Sequence, residues 1–382
     1  MSFWEGISQL HLEFSALCNA VCPSCRRYPV AGHEVLPSIN NTQVWTLAEV
    51  KERFPANDIK HIKQYLINGN YGDFVTNHES IDILEYLHQS SPVASISIST
   101  NGSARNEAWW ADLARRCGKV EVYFCIDGLE DTHTLYRRQT DWKTIIRNAQ
   151  AFAKAGGEAV WTMTTFEHNE HQVEQCRQLS KDLGFTKFEV RYNSRETAMA
   201  RDRSGEPTHW VKDTGLSPTN HLYKIRNKDQ YNEYTSNLND AELNALQQKR
   251  WVKIEAGTFK SKQAPLDTSP MSEKQCPSLN HRTGGHSIFV SARWLVSPCC
   301  HIAGAQEMGD LSTFIDDINS RSNSTVESLT AGLTQTVKDI VDRGFGWAYD
   351  NFEKPASVCS FTCGKRGAFA TSMNTKQIID LK

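Results

Sequence analysis

Three cysteines, Cys18, Cys22 and Cys25, fall in the single short run CNAVCPSC. An iron–sulfur cluster needs several thiolates converging on a small volume, and closely spaced loop cysteines supply them. Three protein ligands leave one iron open, and an open iron can bind a substrate or a second cofactor. Zinc is the competing reading; it prefers four ligands, and only His11 or His33 stands near enough in the chain to complete the set. The chain holds 11 cysteines in all. Five lie between Cys276 and Cys363, and Cys117, Cys125 and Cys176 stand apart. Disulfides do not persist in a reducing compartment, so the clustered cysteines read as metal ligands. Cys117 and Cys176 read as small buried hydrophobes.

The elements around this loop alternate in type. Leu10, Leu12 and Phe14 interleave with polar residues and predict a strand directly before Cys18. Further strands are expected over Ile62–Ile67, Ala94–Ser99, Val120–Ile126, Ala159–Phe166 and near Phe188. Helices are expected between them. Thr46 and Glu49 form a capping box, Asn77 is placed to cap a helix through Leu84 and Leu87, and further helices span about Asn106–Cys117, Asp141–Ala155 and Glu170–Leu183. Six β/α repeats imply an α/β fold, a partial (β/α)6 TIM-like barrel with helices outside a parallel sheet. Ligands in such folds bind at the C-terminal ends of the strands. The chemically interesting segments all follow strands: the cysteine loop, Asn68–Asp73, Thr100–Gly102, Asp127-Gly128 and Glu167–His171. His168 and His171 are candidate acid–base or substrate-contacting groups, weighed equally against caps or surface pairs of the next helix. Trp109 and Trp110 read as packing.

Composition sets the outer bounds. A chain of 382 residues with 39% hydrophobic residues and 10 tryptophans can build one large domain and a smaller one. The formal net charge of −2 gives no global basic field for nucleic acid. No apolar run reaches the roughly 18 residues of a membrane span. The N-terminal MSFWEGISQL has no signal-peptide pattern, so a cytoplasmic location and no membrane partner are expected. The chain divides into residues 1–195, a β/α core; 196–272, a polar insertion or bridge without clean periodicity, with a helical stretch near Leu238–Trp251; and 273–382, a small cysteine-bearing domain with a hairpin over Ile288–Val290 and Trp294–Val296.

The Cys-x3-Cys-x2-Cys loop after a first strand, on a sixfold β/α pattern, resembles the radical SAM superfamily over about residues 9–190. The resemblance implies a 4Fe–4S cluster on Cys18, Cys22 and Cys25 that cleaves S-adenosylmethionine to methionine and a 5′-deoxyadenosyl radical, which then abstracts hydrogen from a substrate. Tyr71-Gly72-Asp73-Phe74 sits where that family has Gly-Gly-Glu-Pro around the SAM amino group, so Gly72 and Asp73 are implied there, with Phe74 in place of proline. Asn101 lies in a Thr-Asn-Gly stretch common in the family. CIDGLEDTHTLYRR resembles a Ser-x-Asp-Gly…His-x3-Arg segment whose serine and arginine contact SAM, which implies Cys125 and Arg137 for those places. An arginine suits the SAM carboxylate because its donors form a planar fork. Ser24 departs from the aromatic residue usual before the third cysteine.

The tail resembles the twitch or shortened SPASM domain, which implies one auxiliary 4Fe–4S cluster on Cys276, Cys359, Cys363 and Cys299 or Cys300, with the register favouring Cys299. A four-thiolate zinc site is the alternative. Trp294 stands where the family has a glycine. Such a tail accompanies peptide- or protein-modifying enzymes, an oxidoreductase or isomerase activity, and an external one-electron reductant such as flavodoxin or ferredoxin. Two further readings stay open. One is a radical SAM isomerase acting on a nucleobase side chain of a nucleotide or nucleic acid, as in phage thymine hypermodification, with Lys224, Arg226, Lys228, Lys249 and Arg250 contacting phosphates. The other is a non-catalytic iron–sulfur or zinc scaffold.

Overall fold

The computed structural model describes residues 2–28, 35–36, 39, 43–191, 198–202, 204–212, 286–300, 303, 335–344 and 376–380. Six strands run in chain order through one sheet: β1 (Ile7–Leu12), β2 (Gln64–Ile67), β3 (Ser95–Thr100), β4 (Val120–Cys125), β5 (Glu158–Thr164) and β6 (Lys187–Arg191). Every neighbouring pair among them is parallel. Helices intervene: α1 (Leu47–Arg53) and α2 (Ala56–Ile59) before β2, α3 (Ser80–Ser90) before β3, α4 (Glu107–Arg116) before β4, α5 (His133–Tyr136) and α6 (Trp142–Lys154) before β5, and α7 (Val173–Asp182) before β6.

The local signals act as their chemistry requires. Thr46 and Glu49 cap α1 reciprocally, and the side chains of Asn106 and Asp141 accept the Trp109 and Thr144 amides at the starts of α4 and α6. Asn77 behaves differently from expectation. α3 starts at Ser80, and Asn77 instead accepts the Glu79 amide and donates to the carbonyls of Phe14 and Trp45, pinning two loops.

Period-two alternation divides the sheet into two faces. Leu10, Leu12, Tyr65, Ile96, Ile98, Val122, Phe124, Trp161 and Phe188 join helix residues such as Leu84, Trp110, Ile145 and Phe152 in one buried core. Cys117 and Cys176 lie in that core as apolar residues, and Trp110 is fully buried there. Burying each large side chain contributes about 1.5–3 kcal/mol.

The tail segments extend the sheet. β9 (His286–Val290) pairs parallel with β1, β10 (Val296–Ser297) pairs antiparallel with β9, and β11 (Lys376–Asp380) pairs antiparallel with β6, giving nine strands. The expected hairpin near Ile288–Val296 is therefore present. The helix α8 (Val337–Gly344) is tied to the N-terminus, where Asp342 accepts from Ser2 Oγ and the Trp4 amide. One region differs from the reading of a polar stretch without period: β7 (Ala198–Arg201) and β8 (Pro207–Val211) form a separate antiparallel hairpin. Its Ala200 and Val211 face other small and aromatic side chains, a contact the surrounding polar composition conceals. The expected helix near Leu238–Trp251 and the basic residues from Lys224 to Arg250 lie outside the described residues.

Candidate cofactor site at the strand ends

The loop after β1 carries the three cysteines. Cys22 is buried, and Cys18 and Cys25 pack beside it against Ala20, Tyr136, Phe166, Ala200 and Val211. The backbone shapes this loop: the amide of Cys25 donates to the carbonyl of Cys22 at 3.1 Å, and that of Val21 reaches Arg138 at 3.0 Å. Tyr136 supplies the aromatic surface that Ser24 does not, and the two hydroxyls meet at 3.2 Å.

The loop after β2 leans on the cysteine loop. The Asp73 amide donates to the Leu17 carbonyl at 2.8 Å. Gly72 lies so close that an added Cβ would sit 1.7 Å from the Ser15 carbonyl oxygen, and only glycine fits. Glu13, at the end of β1 and buried, accepts the amides of Tyr71 and Gly72 at 2.7 and 3.0 Å. Arg27 donates from Nη1 to the carbonyls of Ala16 and Tyr71 and binds the two loops together. Burial pushes the Glu13 carboxyl upward in pKa, against the amides of Tyr71 and Gly72.

Asp73 is enclosed as well. Its carboxylate accepts from Thr100 Oγ1, the Asn101 amide and Asn101 Nδ2, each at 2.8 Å, and from the Val75 amide at 3.3 Å. The last contact caps a short turn at Phe74–Thr76, the structural role that competes with cofactor binding. Asn101 Nδ2 also lies 3.8 Å from Cys18 Sγ and 2.9 Å from Asn19 Oδ1.

The opposite wall comes from β4 and β5. Asp127 is fully buried, accepting Arg137 Nε at 2.6 Å and the Thr164 amide at 2.6 Å. Arg137 extends Nη1 to within 3.8 Å of Cys22 Sγ. Burial opposes the charge on Arg137, but Asp127, Cys22 and Cys125 hold its pKa well above the usual value. His133 fastens this turn. Its Nδ1 accepts the Asp127 amide and its Nε2 meets Thr140 Oγ1, so the neutral ring is the form the contacts need. Burial lowers its pKa to about 4. Asn169 and Gln172 complete the frame through the Asp127 carbonyl and the Leu129 amide.

Cys18, Cys22, Cys25, Gly72, Asp73, Asn101, Cys125 and Arg137 thus stand at the ends of four neighbouring strands, β1 to β4. Cys125, last residue of β4, is half-buried, and burial raises its thiol pKa against the lowering effect of Arg137 and Arg191. His168 stacks on Phe166 at 5.3 Å between ring centroids, beside the cysteine cluster, and burial lowers its pKa to about 4. His171 is exposed. Cys299 and Cys300 lie half-buried after β10, and Asn70 of the β2 loop donates to the Cys300 carbonyl at 3.0 Å. Trp294 has φ +62°, the left-handed backbone in which a glycine is favoured, and its ring stacks on Trp45 at 4.0 Å. Cys276, Cys359, Cys363 and His33 lie outside the described residues. Glu13 and Arg27 were not among the residues expected to build the site, and Asp127 and His133, part of the motif read there, had been given no role; a polar residue breaking an apolar strand end is the signal that would have marked Glu13.

Cys18, Cys22 and Cys25 share one loop and one packed cluster. Burial first, then Asp73, Cys22 and Cys25, push the Cys18 thiol up. Among the described residues no three His, Cys, Asp or Glu side chains converge on one ion. His11, the described candidate for a fourth zinc ligand, donates instead to the Asn68 carbonyl at 2.5 Å.

No known family model matches the chain, and no curated protein sequence does. Solved structures share the fold. SuiB of Streptococcus suis aligns over 96% of this chain and 73% of its own, at 11% identity and a TM-score of 0.53. SuiB bound to the precursor peptide SuiA gives a TM-score of 0.54 at 11% identity, over 96% of this chain and 72% of that one. Native anSMEcpe with bound AdoMet gives 0.50 at 14% identity, over 96% and 95%. The mainly parallel sheet here is the fold these structures share. Among the described residues no helix is long and apolar enough to cross a membrane.

Proposed function

We propose that this chain is a radical SAM enzyme that holds a 4Fe–4S cluster on Cys18, Cys22 and Cys25 and acts on a peptide or protein. The observation that carries the reading is the meeting of the cysteine loop with Asn101 and Arg137, each 3.8 Å from a cysteine sulfur. When bound, the cluster and S-adenosylmethionine supply one-electron cleavage and hydrogen abstraction. The chain's own residues supply position and dryness. Arg137, aimed by Asp127, offers its free guanidinium nitrogens to a carboxylate. Gly72 lets the β2 loop approach closely, while Glu13 and Arg27 hold that loop in place. Asp73, Asn101 and Cys125 stand at neighbouring strand ends, and Tyr136, Phe166 and the Ala200 and Val211 of the β7–β8 hairpin pack against the cysteines. His168, stacked on Phe166 beside the cysteine loop, and the exposed His171 are the candidates for acid–base work or substrate contact.

The proposal includes an auxiliary 4Fe–4S cluster on Cys276, Cys299, Cys359 and Cys363, within a tail domain of residues 273–382 that follows a core of 1–195 and a bridge of 196–272. Support for its placement is the glycine-like backbone at Trp294 and the bond from Asn70 to Cys300, which links the loop after β2 to the tail. An external one-electron reductant completes the reaction. The peptide reading draws on SuiB, whose structure was solved with its precursor peptide.

The test is anaerobic reconstitution with iron and sulfide, addition of S-adenosylmethionine and dithionite, and quantification of 5′-deoxyadenosine. The parent should form it, and the Cys18→Ala, Cys22→Ala, Cys25→Ala triple variant should not. Zinc without iron in the reconstituted parent would overturn the reading.

A further inference from the structure

The face of the sheet turned away from the helices is polar. Gln9, Gln64, Ser97, Ser99, Glu121, Tyr123, Cys125, Thr162, Thr164, Glu189 and Arg191 alternate with the core residues and take no part in the helix-packed cluster. Most of these polar groups satisfy one another. Gln9 Nε2 donates to Gln64 Oε1 at 3.0 Å. Glu121 accepts from Lys187 Nζ at 2.5 Å and Tyr123 OH at 2.6 Å. Glu189, fully buried, accepts Arg191 Nε at 2.6 Å.

Thr162 is the exception. Its side chain is 1% exposed, and among the described residues its Oγ1 has no hydrogen-bond partner. Strand register sets it between Cys125 and Glu189, with Arg191 opposite Thr164 one step along. Cys125 lies two residues, roughly 6.6 Å of strand, before Asp127, which aims Arg137. Cys125 and Arg191 are partly open. A buried unpaired hydroxyl costs folding free energy, so a partner from outside the chain explains its retention.

We infer that Thr162, with Glu189 and Arg191, forms a specificity subsite for a neutral, hydrogen-bonding side chain of the peptide substrate, a carboxamide or a hydroxyl. This rests on the radical SAM reading for its position beside the reacting group. The chemistry of the guest follows from the lining. Glu189 and Arg191 neutralise each other, so a charged guest would lose its hydration with no free countercharge to meet. An aliphatic guest would leave Thr162 unpaired. A carboxamide or hydroxyl completes the set.

The test uses reconstituted protein with S-adenosylmethionine and blocked tripeptides of the form acetyl-Gly-X-Gly-amide, with X asparagine, serine, leucine or glutamate, titrated by saturation-transfer NMR. The asparagine and serine peptides should bind about tenfold tighter than the other two, the value of one hydrogen bond. Thr162→Val should remove that preference, Thr162→Ser should restore it, and Thr162→Val should melt no lower than the parent because no internal bond is lost. Equal binding of the leucine peptide, or a preference untouched in Thr162→Val, overturns the inference. A lower melting temperature for Thr162→Val assigns the hydroxyl to the fold and also overturns it. Thymidine binding above the asparagine peptide and dependent on Thr162 overturns the peptide source in favour of a nucleobase. Formation of 5′-deoxyadenosine by the parent is scored separately: its absence with the Thr162-dependent preference intact sinks the radical reading alone, and its presence without that preference sinks this inference alone.

Discussion

On the helix-facing side of the sheet, Leu10, Ile98, Phe124, Trp161 and Phe188 are buried in one continuous core. On the other side, the same strands carry Gln9, Ser99, Glu121, Thr162 and Glu189. One face spends its residues on burial, which needs only apolar volume. The other keeps polar groups that must each find a partner, an expensive arrangement for stability. The polar face and the strand ends above it carry that cost, and the two faces should fail in different ways when altered.

The largest separation comes from the cysteines. Replacing Cys18, Cys22 and Cys25 together with alanine should abolish bound iron and 5′-deoxyadenosine formation while the parent's far-ultraviolet circular dichroism is kept, because these thiols sit outside the helix-packed core. Loss of the folded signal in the triple variant would contradict that division. Trp161→Ala acts on the opposite face and should cost about 3–5 kcal/mol in urea unfolding, the range for a large core truncation. A cost under 1 kcal/mol would break the comparison.

Arg137→Ala stands between the two. It leaves the Asp127 carboxylate buried without its cation, so it should lower both S-adenosylmethionine affinity, by about a hundredfold, and stability, by a few kcal/mol. Arg137→Lys should regain most stability and less affinity, since an ammonium has no planar fork. Equal recovery of both by lysine would argue against recognition of a carboxylate. Equilibrium dialysis and urea titration separate the two quantities.

The pH dependence follows from the histidines. Burial lowers His133 and His168 to about 4 in the folded chain, against roughly 6.5 unfolded. Between those values the unfolded state binds the protons, so this contribution to stability is complete above about pH 6.5 and is lost as pH falls toward 4. His133→Gln should flatten the decline in urea midpoint over that window; an unchanged slope would remove His133 from the account. The smallest effect is a cap: Thr46→Ala should cost about 1 kcal/mol and leave 5′-deoxyadenosine formation as in the parent.

Much of this was legible in the residues. Alternation located β1 to β6 and the cap at Thr46 acts as read, because both signals are local, while Asn106 and Asp141, read only as the starts of helices, turn out to cap them. Asn77 misled by two residues because two loop carbonyls compete for its side chain, a contact between segments far apart in sequence. The β7–β8 hairpin was hidden for a similar reason: its short apolar face is meaningful only against Tyr136 and Phe166.

The sequence by itself determined the spacing of the three thiols, the alternation of strands and helices, and therefore the end of the sheet at which the polar loops meet. Tertiary structure alone decided which groups surround the thiols. Glu13, Asp127 and His133 are ordinary polar residues in one dimension. They become positioning groups when burial leaves each with specified partners: the Tyr71 and Gly72 amides for Glu13, Arg137 for Asp127, and the Asp127 amide for His133. The unpaired Thr162 hydroxyl is likewise invisible in the chain, because satisfaction of a hydrogen bond depends on every neighbour that folding brings near.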